Sequence, residues 1–134
     1  MTALFKKILC PVDFDRVSIP ALELVHQLAL QNEATVYLLY VVPGQSLPMD
    51  LEKVARDNLR GIAQKWLADR IPHEIVVSSG KAAAGIVNAQ QTLNADLIVM
   101  ATHGRTGADH ARLGSVAEQV IRYSSCPVIT VRPR

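Results

Sequence analysis

The feature that most constrains the fold is the regular alternation of short apolar segments with helical patterns. Five segments are short, apolar and bounded by charged or turn-forming residues, which predicts buried strands at residues 5–12, 34–42, 73–78, 95–101 and 126–131. In the intervals between them, apolar residues recur every three or four positions, as they do on the buried face of a helix. Strands that alternate with helices form a parallel sheet covered on both faces. The predicted fold class is therefore α/β.

Four helices are predicted between these strands. Ser18 followed by Pro20 is a helix-start signal, Gly80 and Lys81 open the third helix, and the fourth runs over residues 115–123. The second helix is the longest, and we expect Pro72 to end it. Its predicted buried stripe consists of Leu51, Val54, Ala55, Leu59, Ile62, Ala63, Trp66 and Leu67.

The ends of two strands indicate where a ligand would bind. Because crossovers are right-handed, an open doubly wound sheet reverses its strand order at one point, and ligands bind at the carboxyl ends of the strands there. Asp13 follows the first strand and Gly104 follows the fourth. We therefore predict an open, doubly wound, five-stranded Rossmann-like sheet in the order 3-2-1-4-5, with the reversal between strands one and four.

The connection after the fourth strand is longer than most. Nine residues separate Gly104 from Gly114, whereas strand-to-helix loops usually contain about 2–6 residues. Glycine permits close approach of the backbone to a ligand, and a helix N-terminus favours phosphate. Ser115 and Glu118 also have the spacing of an ordinary capping box. Phosphate binding and plain helix capping both remain open at this point.

Composition excludes several classes of protein. The 134 residues suffice for one domain, residues 1–134, and no apolar segment is long enough to span a membrane, so cytoplasm is the expected location. A net charge of +2 and 4% aromatic residues give little support to nucleic-acid binding. Cys10 and Cys126 are expected to be free thiols, and no spacing of Cys and His suits zinc.

Three segments together resemble the universal stress protein family, and the resemblance covers nearly the whole chain. The nucleotide-binding members carry glycine, two residues, glycine, nine residues, and glycine followed by serine or threonine. Here Gly104, Gly114 and Ser115 match that motif, whereas Ala101 replaces its first glycine. The segments at residues 11–13 and 126–128 are also similar to the family. Alanine is small, so we expect binding to survive with altered affinity.

The resemblance implies an ATP site and a role for each matching position. Asp13 and its neighbours would border the adenine and ribose, Gly104 and Arg105 would lie along the phosphates, and the helix start at Ser115 would offer N–H groups and a hydroxyl. A divalent ion such as Mg²⁺ would bridge phosphate oxygens, without protein ligands. The implied nucleotide-binding residues are Pro11, Val12, Asp13, Val41, Ala101, His103, Gly104, Arg105, Gly114, Ser115 and Val116.

Asp13 and His103 each have an alternative role that the sequence leaves open. Asp13 is equally suited to capping a strand end. His103 is expected to be a loop histidine near the phosphates, because no Ser-His-Asp arrangement is evident that would make it a catalytic base.

Three functions remain in competition at the level of sequence. The leading hypothesis is an ATP-binding stress-response or signalling protein whose surface changes with nucleotide occupancy. A slow ATP hydrolase or phosphotransferase is the second, although no residue is clearly placed to activate water. The third is a nucleotide-independent dimeric scaffold, because the last strand lies at a sheet edge that can pair with a second copy. The resemblance also implies a homodimer through this strand, which contains Val128, Ile129, Thr130 and Val131.

Overall fold

Strands and helices alternate along the chain, as the apolar pattern predicts. The computed structural model describes residues 4–14, 17–102 and 114–132. The elements are β1 (Lys7–Pro11), α1 (Ile19–Asn32), β2 (Thr35–Val42), α2 (Met49–Trp66), β3 (His73–Ser79), α3 (Ala82–Leu93), β4 (Leu97–Ala101), α4 (Ser115–Tyr123) and β5 (Val128–Val131). Each predicted strand and helix is present, with boundaries that differ by a few residues.

The five strands form one parallel sheet in the order β3-β2-β1-β4-β5, which confirms the predicted topology. β1 lies at the centre, with Leu9 beside Tyr37 of β2 on one side and beside Ile98 of β4 on the other. The chain leaves β1 in one direction through β2 and in the other through β4. The carboxyl ends of β1 and β4 therefore flank the reversal of strand order, where a ligand site is expected.

Each face of the sheet is covered by a pair of helices. One buried cluster, which we call the α1–α2 core, contains Ile8, Leu38 and Val99 together with residues of α1 and α2. The other, the α3–α4 core, contains Leu9 and Ile98 together with residues of α3 and α4. Consecutive strand residues point to opposite faces, and both faces are apolar. This explains why the strands are continuous apolar runs rather than alternating ones.

A carboxylate at the amino edge of the sheet ties β1 to β4. Asp96, just before β4, accepts hydrogen bonds through Oδ2 from the backbone N–H groups of Lys6 and Lys7, both at 2.9 Å. The N–H of Asp96 donates to the carbonyl oxygen of Lys7 at 2.8 Å. These bonds set the register of the two strands whose opposite ends flank the reversal.

Helix α2 differs from the prediction in where it ends and in which of its residues are buried. That helix ends at Trp66 rather than at Pro72, because Leu67 adopts an extended backbone with φ −110° and ψ 135°. Leu51 and Val54, predicted to be buried, are 50% and 57% exposed. The helix begins before its line of buried residues, so its first turns project past the core. In the described ranges, no helix is long and apolar enough to cross a membrane.

The start of α1 is as predicted. Ser18 is the N-cap residue, and its Oγ accepts a hydrogen bond from the N–H of Ala21 at 3.3 Å. Pro20 lies in the first turn, where the missing N–H costs nothing. The cap places the N-terminus of α1 at the carboxyl edge of the sheet, beside the end of β1.

Candidate functional site

A cavity of about 440 Å³ opens at the carboxyl edge of the sheet, between the ends of β1, β2 and β4. Its volume falls in the range of small-molecule sites, which is about 300–1,000 Å³. The first turns of α1, α3 and α4 complete its walls. The described lining residues are Cys10, Pro11, Val12, Asp13, Val17, Ser18, Ala21, Leu22, Leu39, Tyr40, Val41, Pro43, Ala82, Ile86, Met100, Ala101, Thr102 and Val116.

The cavity brings together a majority of the sequence-predicted site residues. Six of the predicted residues line it, and they are Pro11, Val12, Asp13, Val41, Ala101 and Val116. Gly114 and Ser115 are not lining residues, but they lie at the start of α4, immediately before Val116. His103, Gly104 and Arg105 fall outside the described residues. The described part of the predicted site therefore converges on one place.

The start of α4 differs from the capping box that the sequence suggests. Gly114, not Ser115, occupies the N-cap position, and Ser115 is the first helical residue. The Glu118 carboxylate pairs with Arg122 one turn later, with 3.5 Å between Oε1 and Nη2. Within the described residues no side chain caps α4. The plain-capping interpretation is wrong in this form, because glycine has no side chain with which to cap.

The backbone dihedral angles of Gly114 show whether glycine is required at this position. Its φ of −65° and ψ of 155° are ordinary extended values that any residue adopts. Conformational freedom therefore does not require glycine at this position. Glycine is favoured at N-cap positions, and it also permits close approach of another group to the backbone.

The electrostatic setting of the cavity combines one carboxylate with three helix N-termini. Asp13 is the one charged side chain among the described lining residues. Ser18, Ala82 and Val116 lie in the first turns or caps of α1, α3 and α4, so three helices begin at the cavity wall. Each N-terminus carries partial positive charge. The surroundings thus suit a ligand with an anionic part and hydrogen-bonding hydroxyl groups.

Sequence reasoning missed several lining residues, chiefly those from α1 and α3. Ala82 and Ile86 come from α3, which carries no motif, and only the strand order reveals that α3 begins beside the cavity. Tyr40 lines the wall next to Val41, and its ring stacks on Phe14 with centroids 4.1 Å apart. The sequence could have predicted that Tyr40 lines the cavity, because it is an aromatic residue near the carboxyl end of a strand.

Comparison with known proteins shows which family the chain is similar to. The sequence model of the Universal stress protein family matches residues 4–132. This chain belongs to the Universal stress protein family. It is 35% identical to Universal stress protein MJ0531 of Methanocaldococcus jannaschii, in an alignment that covers 96% of this chain and 83% of that protein.

Solved structures of universal stress proteins share the fold. Hypothetical protein MJ0577 superimposes with a TM-score of 0.82 at 28% identity, covering 98% of this chain and 99% of that one. MJ0577 is itself named a universal stress protein of Methanocaldococcus jannaschii. A universal stress protein in complex with cAMP superimposes with a TM-score of 0.74 at 19% identity, covering 98% of this chain and all of that chain (100%). The latter likeness concerns the fold alone.

Metal-binding side chains do not cluster in the part of this universal stress protein that the structure describes. No group of three or more His, Cys, Asp or Glu residues is close enough there to hold a metal ion. Both cysteines are free thiols, as expected, with Cys10 buried and Cys126 partly buried.

The two cysteines of this universal stress protein differ in their expected reactivity. Burial raises the pKa of the Cys10 thiol to about 12, and the thiolate is the reactive form. Cys126 lies near the surface, with its Sγ 3.5 Å from Ser124 Oγ. At pH 8 we expect dithionitrobenzoate to label one thiol in the folded protein and two after denaturation in guanidinium chloride.

Two serine variants show which cysteine reacts with dithionitrobenzoate in the folded protein. Cys126→Ser should leave the folded protein unlabelled, whereas Cys10→Ser should label as the wild type does. Rapid labelling of folded Cys126→Ser would contradict the burial of Cys10.

Proposed function

We propose that this universal stress protein binds ATP in the cavity at the carboxyl edge of the sheet, and that occupancy changes the surface it offers to a partner in a cytoplasmic stress response. The observation that carries the proposal is the convergence of the family's nucleotide-binding positions on one cavity of ligand size. The neighbouring α4 N-terminus, without a side-chain cap in the described residues, supplies the second half of a nucleotide site.

The base and ribose belong, in this proposal, to the part of the cavity formed by β1 and β2. Val12 and Val41 supply apolar contact for the flat faces of adenine. Asp13 offers a carboxylate that can accept hydrogen bonds from the ribose hydroxyls, and such charge-assisted bonds are the stronger kind. Pro11 fixes the backbone at the end of β1, where the chain turns away from the sheet.

The phosphates belong beside the start of α4. The N–H groups of Ser115 and Val116 and the Ser115 hydroxyl are donors in the first turn, where the helix dipole favours negative charge. His103, Gly104 and Arg105 would complete this end of the site, as the family motif implies. In the absence of a cluster of described metal ligands, Mg²⁺ would be held through phosphate oxygens.

Ala101 is compatible with this arrangement. It lies at the end of β4, lines the cavity and packs against the α1–α2 core. A methyl group in this position adds apolar contact at the cavity floor. We therefore expect the missing first glycine of the motif to alter the affinity for ATP without abolishing it.

Isothermal titration of the nucleotide-free protein tests the proposal. We expect saturable binding of one ATP per chain in the presence of Mg²⁺. GTP should bind more weakly, because guanine has more polar groups than adenine and apolar walls leave them unpaired. Titration with cAMP in the same buffer would show whether the triphosphate or the adenosine part dominates. Absence of ATP binding by folded protein, with or without Mg²⁺, would overturn the proposal.

We also propose that two chains associate through β5, which lies at one edge of the sheet. The carbonyl oxygens of Pro127 and Val131 accept hydrogen bonds from the N–H groups of Ile98 in β4 and of Thr102 just after it, at 3.0 and 2.9 Å. Backbone groups alternate in direction along a strand, so those of Val128 and Thr130 point away from β4. An edge with such groups and with partly buried apolar side chains is suited to pairing with a second copy.

A substitution at Thr130 tests this association. Thr130→Pro removes an outward N–H without removing a hydrogen bond to β4, so we expect the dimer to dissociate into monomers in light scattering. Thr130→Val, which keeps the N–H, should remain dimeric. A dimeric Thr130→Pro protein, or a monomeric wild type at the same concentration, would contradict pairing through β5.

A further inference from the structure

Helix α3 packs closely on strand β2 at Gly85. A Cβ atom placed on Gly85 would lie 2.8 Å from Val41 Cγ2 and 3.0 Å from Val41 Cγ1. Real Cβ atoms essentially never approach another heavy atom within 3.0 Å, so a side chain at this position would force a movement. Gly85 therefore forms a notch in α3, and both methyl groups of Val41 occupy it.

The surroundings of the notch determine which atoms can move. On the β3 side, the same Cβ would lie 3.4 Å from Ser78 Oγ, which is ordinary contact. That hydroxyl is buried and has no hydrogen-bond partner in the described part of the chain. A displaced Val41 has its neighbours Leu39 and Ile86 in the α3–α4 core below it and the cavity beside it. The cavity is the open space into which its side chain can shift.

The notch is part of the cavity wall. Val41 lines the cavity, and so do Ala82 and Ile86 of α3, which are three residues before and one residue after Gly85. Any increase in size at position 85 either turns the Val41 methyl groups towards the ligand or moves Ala82 and Ile86 away from it. Both movements change the space beside the base.

We propose that Gly85 positions the wall beside the adenine base: its notch holds the Val41 methyl groups against α3 and so sets the space available to the base. This inference rests on the proposed ATP function. Gly85 does not contact the ligand itself and acts through Val41, so it is a positioning residue. Phosphate binding at the start of α4 does not depend on it.

The test is ATP affinity in Gly85→Ala, with Gly61→Ala as the matched control. Gly61 is also inside a helix, α2, but a Cβ there would have no heavy atom within 4 Å. We expect Gly85→Ala to lower the affinity for ATP on the order of tenfold, because overpacking displaces Val41. Gly61→Ala should bind ATP as the wild type does. The affinity for inorganic tripolyphosphate, measured by competition against a fluorescent ATP analogue, should be the same in all three proteins.

A double variant separates crowding from general damage to the fold. Removing the Val41 methyl groups empties the notch, so Gly85→Ala should cause no further loss of ATP affinity in a Val41→Ala background. Such coupling between two positions is the signature of direct contact.

The outcomes distinguish this inference from the proposed function. If the wild type binds ATP and Gly85→Ala binds it equally well, the role of Gly85 is overturned and ATP binding stands. Equal loss of ATP and tripolyphosphate affinity, or an undiminished penalty in the double variant, also overturns it. If the wild type binds no ATP, the proposed ATP function and the role of Gly85 are both overturned.

Discussion

Replacing Gly114 by valine is expected to weaken ATP binding severely while the protein stays folded. Gly114 is the N-cap residue of α4, and its extended φ and ψ are as accessible to valine as to glycine. The branched side chain, however, would occupy space next to the N–H groups proposed to meet phosphate. Losing charge-assisted hydrogen bonds worth about 3 kcal/mol lowers affinity on the order of a hundredfold. Isothermal titration with ATP and Mg²⁺ measures the loss, and circular dichroism checks the fold.

Gly61→Val is the control for this experiment. Gly61 lies in α2, and a Cβ atom placed on it would have no heavy atom within 4 Å, so we expect the variant to bind ATP normally. A folded Gly114→Val protein with wild-type affinity would move the phosphate site away from the start of α4.

Truncating either Leu38 or Leu39 to alanine is expected to cost about 3 kcal/mol of unfolding free energy, within the usual range for buried leucine. The two residues are consecutive in β2 and both are fully buried, at 0% exposure. Leu38 belongs to the α1–α2 core and Leu39 to the α3–α4 core. Because helices cover both faces of the sheet, neither position should tolerate truncation. Urea denaturation at equilibrium measures both losses.

The two leucine variants should also differ in their affinity for ATP, although both lose stability. Leu39 lines the cavity and Leu38 does not, so only Leu39→Ala should weaken ATP binding. The control is Val54→Ala in α2, which is 57% exposed and should change stability by less than about 0.5 kcal/mol. A small cost at either leucine would mean that one face of the sheet is not covered as described.

The strand order is the part of the fold that the sequence predicts most securely. Buried parallel strands must be apolar on both faces, so their runs are continuous and easy to locate. The connections after β1 and β4 differ from the others, because Asp13 follows β1 and an unusually long segment, with nine residues between Gly104 and Gly114, follows β4. That difference is sufficient to place the reversal between these strands, as the structure confirms.

The ends of helix α2 were predicted less well, for a physical reason. An apolar period shows which residues share a helix face, but it does not show how far the neighbouring core extends. Leu51 therefore looks like a core residue, although it lies half exposed in the first turn. Leu67 continues the apolar pattern and is buried, yet its backbone is extended.

The candidate site was predictable only where a motif marks it. Pro11, Asp13 and Ala101 follow from strand ends and from the family motif, and they line the cavity. Ile86 lies in a helix without any motif, and its place in the wall depends on how α3 packs on β2. The notch at Gly85 depends on distances of a few tenths of an ångström, which a pattern of residue types does not contain.

We propose that the cavity at the reversal of strand order holds ATP. The most direct test is to denature the protein as purified, without added nucleotide, and to analyse the released small molecules by chromatography and mass spectrometry. We expect ATP or ADP, released in proportion to the protein. Protein that releases no nucleotide and then fails to bind added ATP with Mg²⁺ would contradict the account and favour a nucleotide-independent dimeric scaffold.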